Sequence, residues 1–291
     1  MAIRATLYTD SACPWAYSAT PALTTLRWRY GDQLDWQLVM IGLRDDTHGQ
    51  SASGYTPGRQ ALGSRRFRDR YGMPFAAAPR TRLVATGRAC RAVVATRLAH
   101  PGREFAVQRA LAFAWFNTPL LLDEDAAIQT ALAGVAGIDA AAIVAALDSP
   151  AVSAAYEADK SNSRSAGGGA TEFQGKAAVS DGLVRYTAPS VIFENGTRSL
   201  EVGGFQPLEA YDVAIANIDP MLERTLPPGD PAELLARFPE GLCTQEVAVL
   251  LAGNLTDVDR AGAEDALLAL VADGAATREA LGSDAIWRAA A

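Results

Sequence analysis

One cysteine in this sequence stands in a setting that is typical of redox chemistry. Residues 9–23 read TDSACPWAYSATPAL, in which Cys13 follows a predicted strand and precedes Pro14-Trp15-Ala16. A cysteine at position 16 would complete a Cys-x-x-Cys pair, in which the first thiolate attacks a disulfide and the second thiol resolves the mixed disulfide. The stretch therefore predicts thiol chemistry with one cysteine, a redox site that has lost its function, or a cysteine present by chance.

The other residues that could act as nucleophiles or metal ligands are scattered. Cys90 and Cys243 lie far from Cys13 and from each other, so the three cysteines form neither a disulfide framework nor a metal-ligand cluster. We predict that Cys90 and Cys243 are structural, because a free cysteine packs like a small apolar side chain. With His48 and His100 as the only histidines, we predict no metal site and expect neither histidine to be a catalytic base.

A basic run, PGRQALGSRRFRDRYGMP (57–74), contains Arg59, Arg65, Arg66, Arg68 and Arg70. One interpretation is a solvated helix face. The other is a positive rim that guides an anionic thiol cofactor or an acidic protein.

The elements around Cys13 follow a strand–helix–strand order. Residues 3–9 alternate and contain branched and aromatic side chains, which predicts a strand. A helix is expected over 14–30, with Pro14 in its first turn and a kink at Pro21. The run 34–43 is nearly continuous in apolar residues, which predicts a strand buried on both faces. Together these segments predict a βαβ unit.

The middle of the chain is predicted to be mainly helical, over 50–175. Leu83, Cys90, Val94 and Leu98 form one stripe of a helix at 82–99. Further helices are expected at 101–116, 124–135, 139–147 and 148–163. A hairpin with a type I′ turn at Asn195-Gly196 is predicted within 189–204, and a last helix over 207–224.

A proline-rich linker at 226–231 precedes a separate small C-terminal region. Thr244 is expected to cap a helix through Val247 and Leu250, a second helix is expected over 259–273, and the last residues could form a two-stranded wing. From Asp230 onward there are eleven acidic residues and four arginines. Because phosphate neutralisation supplies most nonspecific affinity for DNA, this charge disfavours nucleic-acid binding and favours packing or dimerisation.

Two motifs resemble those of the DsbA-like family of thiol–disulfide oxidoreductases. CPWAY (13–17) is similar to the CPWCY motif of that family, and TAPSVIF (187–193), with Ala188-Pro189, is similar to its cis-proline loop. The resemblance spans about 1–225. It implies an α/β, thioredoxin-like fold at 1–48 and 178–225 with an inserted helical domain at 49–177. The tail separately resembles a winged helix–turn–helix module, which predicts a small winged-helix-like domain at 232–291.

The resemblance makes Cys13 the expected catalytic residue. It implies supporting roles around that thiol for Pro14, Trp15, Ala16, Tyr17, Ala188 and Pro189. At a helix N-terminus, free N–H groups favour a thiolate, so we expect a lowered pKa for Cys13. The predicted function is thiol–disulfide exchange through a single cysteine. No cofactor is expected to bind tightly; a low-molecular-weight thiol, glutathione or mycothiol, would resolve the mixed disulfide.

Three alternatives remain open. The first is a glutathione-dependent enzyme resembling the kappa-class transferases or the 2-hydroxychromene-2-carboxylate isomerases, which usually carry serine in place of Cys13. The second is an inactive binding or adaptor protein. The third is technical, since Ala16 could be an engineered substitution that traps mixed disulfides.

Composition narrows the partners that we expect. The 291 residues have a net charge of −7, which disfavours nucleic acid and anionic membranes. No apolar run reaches the roughly 18 residues of a membrane span, and the N-terminus lacks a signal-peptide core. We therefore expect a cytoplasmic protein that acts on an unidentified disulfide or thiol substrate, with homodimerisation as an option.

Overall fold

The computed structural model describes residues 2–290, and positions 50 and 51 through their backbone alone. The strands are β1 (Ile3–Thr9), β2 (Leu34–Met40), β3 (Ala177–Ser180), β4 (Leu183–Tyr186), β5 (Ser190–Glu194), β6 (Ser199–Val202), β7 (Leu242–Cys243), β8 (Ala276–Leu281) and β9 (Asp284–Ala289). The helices are α1 (Pro14–Ser18), α2 (Thr20–Tyr30), α3 (His48–Ala52), α4 (Pro57–Tyr71), α5 (Gly87–Ala99), α6 (Glu104–Asn117), α7 (Asp125–Leu132), α8 (Ala140–Ala145), α9 (Pro150–Ser163), α10 (Ala170–Phe173), α11 (Leu208–Ile218), α12 (Pro231–Arg237), α13 (Thr244–Ala252) and α14 (Arg260–Ala272).

The main sheet joins the two ends of the first 220 residues. Its strand order is β2-β1-β5-β6, with β1 parallel to β2 and antiparallel to β5, and with β6 antiparallel to β5. The predicted βαβ unit therefore supplies one half of the sheet and the predicted hairpin supplies the other. Because β1 and β5 are neighbours, the chain segments that follow β1 and precede β5 meet at one edge.

Strand β2 differs from its prediction. It lies at the edge of the sheet, and it alternates between buried and exposed positions in its first half, with Asp35 and Gln37 exposed. Only its end, Leu38–Met40, is buried throughout. The expectation of burial on both faces was therefore wrong for the first half of β2, where one face of the strand is exposed.

The first helical segment is broken rather than kinked at Pro21. α1 ends at Ser18, and α2 starts at Thr20, with Pro21 in its first turn. Proline has no N–H to donate and fits the first turn of a helix. The interruption therefore falls at Ala19, before the proline, and α1 is only five residues long.

Helices α3–α10 form the region between β2 and β3, as expected. Cys90 and Val94 of α5 are buried, but Leu98 is half exposed. Each step of four residues rotates a position by about 40° around a helix, so two steps from Cys90 carry Leu98 off the buried face. Leu83 lies before α5 begins.

Within 177–202 the structure contains two hairpins, and the two-residue turn is in the hairpin that was not predicted. Four residues, 195–198, connect β5 to β6, and only Gly196 among them has a positive φ, so the type I′ turn at Asn195-Gly196 was wrong. The Asn195 side chain instead accepts hydrogen bonds from the N–H groups of Thr197 and Arg198. A hairpin that was not predicted, β3–β4, turns through Asp181 (φ 55°) and Gly182 (φ 77°), the pattern of a two-residue I′ turn.

The C-terminal unit, Pro231–Ala289, contains α12–α14 and a small antiparallel sheet of order β7-β9-β8. Thr244 does not cap α13; Cys243 is the N-cap. The Thr244 hydroxyl donates to Asp284 at 2.5 Å and accepts from the Trp287 indole at 2.9 Å. The domain boundaries and the winged-helix-like assignment stay predictions.

A buried ion pair fixes the C-terminal unit to the rest of the chain. Glu246 of α13, which is fully buried, accepts from Arg109 of α6 at 2.7 Å and from the Thr24 hydroxyl of α2 at 2.9 Å. Arg109 also donates to the Gly241 carbonyl. Most of the buried side chains of the unit form a hydrophobic cluster of their own, whereas Cys243 and Ile286 pack into the main hydrophobic core.

Candidate functional site

The loop that follows β1 places Cys13 at the start of α1. The Cys13 N–H donates to the Asp10 carbonyl at 3.1 Å, and the Cys13 carbonyl accepts from Tyr17 at 3.0 Å. Cys13 is the N-cap residue, and Pro14 occupies the first turn. The sequence prediction of a thiol at a helix start therefore agrees with the structure.

The cis-proline loop meets this thiol from the other side. The Ala188–Pro189 peptide bond is cis, and the Cys13 thiol donates a hydrogen bond to the Ala188 carbonyl at 3.1 Å. The two motifs, 175 residues apart in sequence, thus form one site. The position of Ala188 just before β5, next to β1, brings this about.

Of the other predicted site residues, Ala16 and Trp15 lie close to the Cys13 thiol, whereas Tyr17 lies in the main core. Ala16 is buried in the same apolar cluster as Cys13 and Ala188. Trp15 is 42% exposed and covers the surface beside the thiol. Tyr17 points into the main core: it donates to the Pro74 carbonyl, accepts from Asn117 and stacks on Phe116. Its role in this structure is packing.

Burial dominates the ionisation of Cys13. The thiol is 6% exposed, and burial raises its pKa to about 11, with the Asp10 carboxylate adding to the rise. The N–H groups of Ala16 and Trp15 and the charge of Arg44 act in the opposite direction without prevailing. The expected lowering of the pKa was wrong, because the thiol faces a carbonyl acceptor in an apolar cluster that sequence alone does not show.

Asp10 is a buried carboxylate that the sequence analysis missed. Its oxygens accept from the Ala12 N–H, the Leu43 N–H, the Thr86 hydroxyl and the Cys90 thiol, at 2.8–3.4 Å. Asp10 thus ties the Cys13 loop to the exit of β2 and to α5. The signal in the sequence was an acidic residue at the end of a strand three positions before the cysteine.

Arg44 and an aromatic group also border the site. The Arg44 guanidinium is close enough to lower the pKa of Cys13, and its Nε atom is buried without a hydrogen-bond partner among the described residues. Trp15 packs against Phe67, Phe205 and Tyr71, with ring centroids 4.9, 5.5 and 5.7 Å away. We call these four rings the aromatic platform.

The other two cysteines are buried in the core, and the described residues contain no metal-binding group. Cys90 and Cys243 are fully buried, and burial raises the pKa of each well above its usual value. Cys243 contacts the Met73 sulfur at 3.6 Å. Over residues 2–290, no group of three or more His, Cys, Asp or Glu is arranged to hold a metal ion. No described helix has both the length and the apolar character of a membrane span.

Comparison with known proteins agrees with this geometry. Residues 5–167 match the family model of the DSBA-like thioredoxin domain. No match was found among curated proteins. Similar solved structures include a probable DsbA oxidoreductase from Streptomyces coelicolor (18% identity, TM-score 0.56, 78% of this chain and 94% of that one) and a putative protein disulfide isomerase from Nitrosomonas europaea (17%, 0.55, 75% and 97%).

A third similar structure is the cytosolic disulfide reductase DsbM from Pseudomonas aeruginosa (16%, 0.52, 74% and 98%). At these identities the structural likeness shows a shared fold alone. The family match covers more than half of the chain, and the α/β, thioredoxin-like fold inferred from the sequence is confirmed. This chain belongs to the DSBA-like thioredoxin domain family.

Proposed function

We propose that this protein carries out thiol–disulfide exchange with Cys13 as its only reacting cysteine. The observation that carries the proposal is the contact between the Cys13 thiol and the Ala188 carbonyl, 3.1 Å apart at a cis-proline loop, in a member of the DSBA-like family. Trp15, two residues from Cys13, is 42% exposed and packs against Phe205, so an aromatic surface that a substrate can contact lies close to the buried thiol.

The reaction needs two exchanges and an external thiol. Cys13 first loses its proton and attacks a substrate disulfide; a Cys13–substrate disulfide forms, and the other substrate sulfur leaves as a thiol. A small thiol, glutathione or mycothiol, then attacks the substrate sulfur of the mixed disulfide; Cys13 leaves as a thiol, and the substrate sulfur stays in a disulfide with the small thiol until a second small thiol displaces it. With Ala16 in place of a second cysteine, the chain itself offers no neighbouring sulfur for the second exchange.

The external thiol sets the direction of the proposed reaction, because it supplies the electrons that restore Cys13. DsbA is a strong oxidant because its reduced form is stabilised. Cys13 lacks that stabilisation as a thiolate, since burial raises its pKa to about 11. The raised pKa is therefore in keeping with a protein that reduces its substrate, and we propose this direction.

The test compares the parent chain with Ala16→Cys and Cys13→Ser. We expect glutathione disulfide to form a mixed disulfide at Cys13, detected by mass spectrometry, and reduction of a model disulfide to require added glutathione. Ala16→Cys places a second thiol one helical turn from Cys13 and should reduce one equivalent of the model disulfide without added thiol, as Cys13 forms a disulfide with the introduced cysteine. Absence of any adduct at Cys13 in the parent chain would contradict the proposal.

One observation favours a second function, a glutathione-dependent isomerase or transferase. A neutral thiol that donates a hydrogen bond could act toward a bound glutathione sulfur as the serine hydroxyl of such enzymes does. A solved structure of DsbM contains glutathione. Cys13→Ser separates the two functions: it abolishes disulfide exchange, whereas an isomerase keeps its activity.

We further propose a reducing cytoplasmic setting. The three cysteines are free and buried, and unpaired thiols persist where small thiols keep them reduced. The C-terminal unit has an acidic excess and is attached through Glu246 and Arg109, which supports packing over nucleic-acid binding. Homodimerisation stays a prediction.

A further inference from the structure

Helix α4 is an exposed basic helix beside the Cys13 loop. It contains Arg59, Arg65, Arg66, Arg68 and Arg70 against one carboxylate, Asp69. The whole chain has a net charge of −7, so this excess of positive charge is local. Phe67 and Tyr71 of the same helix contact Trp15, which places the charge next to the proposed site.

Only some of the arginines of α4 form ion pairs within the fold. Arg65 and Arg68 share Asp69, at 3.6 and 3.2 Å. Arg66 and Arg70 are exposed and have no ion-pair partner among the described residues. Arg70 lies over the Tyr71 ring, 5.3 Å from its centroid. Two cations adjacent to the aromatic platform are therefore available to a partner.

The aromatic platform adds an apolar surface to this charge. Trp15 is two residues from Cys13 and 42% exposed, and Tyr71 and Phe205 pack together with ring centroids 4.9 Å apart. Partly exposed aromatic rings bordered by arginine are the composition of protein-binding surfaces.

We propose that α4 and the aromatic platform form a docking surface for an acidic polypeptide segment next to the substrate disulfide. This inference rests on the proposed exchange at Cys13 and names its substrate class. Arg66 and Arg70 are about 6 Å apart along a helix that rises 1.5 Å per residue, and Phe67 and Tyr71 of the same helix contact Trp15. An acidic polypeptide segment complements this local positive charge and has the apolar side chains that the aromatic platform can contact.

The arginine charges act mainly on the rate of association and on the choice of partner. An exposed arginine pair adds little affinity by itself, but a local basic surface raises the association rate of acidic partners and disfavours basic ones. The preference therefore weakens as salt is added. The platform supplies contact area that does not depend on salt.

Binding can be measured without the exchange reaction. The Cys13→Ser chain is titrated, by fluorescence anisotropy, with a labelled glutamate-rich peptide that contains one phenylalanine and with its lysine-rich counterpart. We expect about tenfold tighter binding of the acidic peptide at low salt, and loss of that preference in Arg66→Glu/Arg70→Glu.

The matched control is Arg237→Glu/Arg278→Glu on the C-terminal unit. It changes the net charge equally, and both arginines also lie over aromatic rings, so it should keep the preference. Circular dichroism of each variant establishes that it is folded. Equal binding of the two peptides to the parent chain, or equal loss of the preference in both double variants, overturns the inference. Binding in Cys13→Ser combined with no adduct at Cys13 overturns the proposed function alone.

Discussion

Cys13 is held as a neutral thiol by its surroundings, and this has a measurable consequence. With a pKa of about 11, its thiolate fraction at neutral pH is about one part in ten thousand. Below that pKa, the rate of alkylation by iodoacetamide should rise about tenfold per pH unit. Mass spectrometry of the Cys13 peptide across a pH series checks this. A plateau near neutral pH would show that the helix N–H groups outweigh burial.

The sequence predicted the position of Cys13 but not the pKa of its thiol. The motif at 13–17 and Ala188-Pro189 sufficed to bring the thiol and the proline loop together. The pKa depends on Tyr186, Ala188 and Ala166, which enclose the thiol and are far away in sequence. No local pattern specifies that enclosure, and none specifies that Asp10 accepts hydrogen bonds from Leu43, Thr86 and Cys90 of other segments.

At the scale of the elements, the β3–β4 hairpin packs against the Cys13 cluster, and we expect that opening this hairpin exposes the thiol. Ala177, Val184 and Tyr186 of this hairpin belong to or pack against the Cys13 cluster. Its turn needs Gly182 at φ 77° with nothing within 4 Å of an added Cβ. Gly182→Val would cost about 1–2 kcal/mol in the left-handed region, open the hairpin, and raise Cys13 alkylation at fixed pH up to about tenfold.

The control for this substitution is Gly274→Val in the C-terminal unit. Gly274 has φ 72° and equally free surroundings, so its replacement carries a similar backbone cost far from the thiol. It should leave Cys13 alkylation unchanged. If hydrogen exchange shows the hairpin amides opening in Gly182→Val while Cys13 reacts no faster, other elements keep the thiol covered.

The order of elements was largely predictable, and the errors have local causes. Apolar periodicity placed most of the helices because each buries one face against the core, and branched and aromatic residues placed β1, which is a central strand and is buried except at Arg4. The two-residue turn was assigned to Asn195-Gly196 although Asp181-Gly182 has the same signal. In the first case the Asn195 side chain accepts hydrogen bonds from the N–H groups of Thr197 and Arg198 in a longer connection. This arrangement depends on the strand register, which the sequence does not specify.

At the scale of the whole molecule, Glu246 connects three elements. It pairs with Arg109 of α6, accepts from Thr24 of α2, and accepts from the Cys243 N–H at the start of its own helix. Burial alone would raise the pKa of Glu246, but the Arg109 charge and these hydrogen bonds outweigh it and lower the pKa below its usual value. Neither α2 nor α6 contains a sequence signal for this pairing.

Glu246→Gln should therefore weaken the attachment of the C-terminal unit. Loss of the carboxylate leaves Arg109 buried without its counter-ion, a change that costs about 3–5 kcal/mol, measured as the free energy of unfolding in urea. Glu240→Gln is the control: its pair with Arg27 is about one-third exposed on both sides, and its loss should cost less than about 1 kcal/mol.

Because the folded pKa of Glu246 is depressed, the contribution of its carboxylate to stability is full above the unfolded pKa of about 4.3 and is lost as pH falls through the folded pKa. The difference between parent and Glu246→Gln should accordingly shrink in acid, and equal costs for the two variants at neutral pH would show that the ion pair does not hold the unit in place.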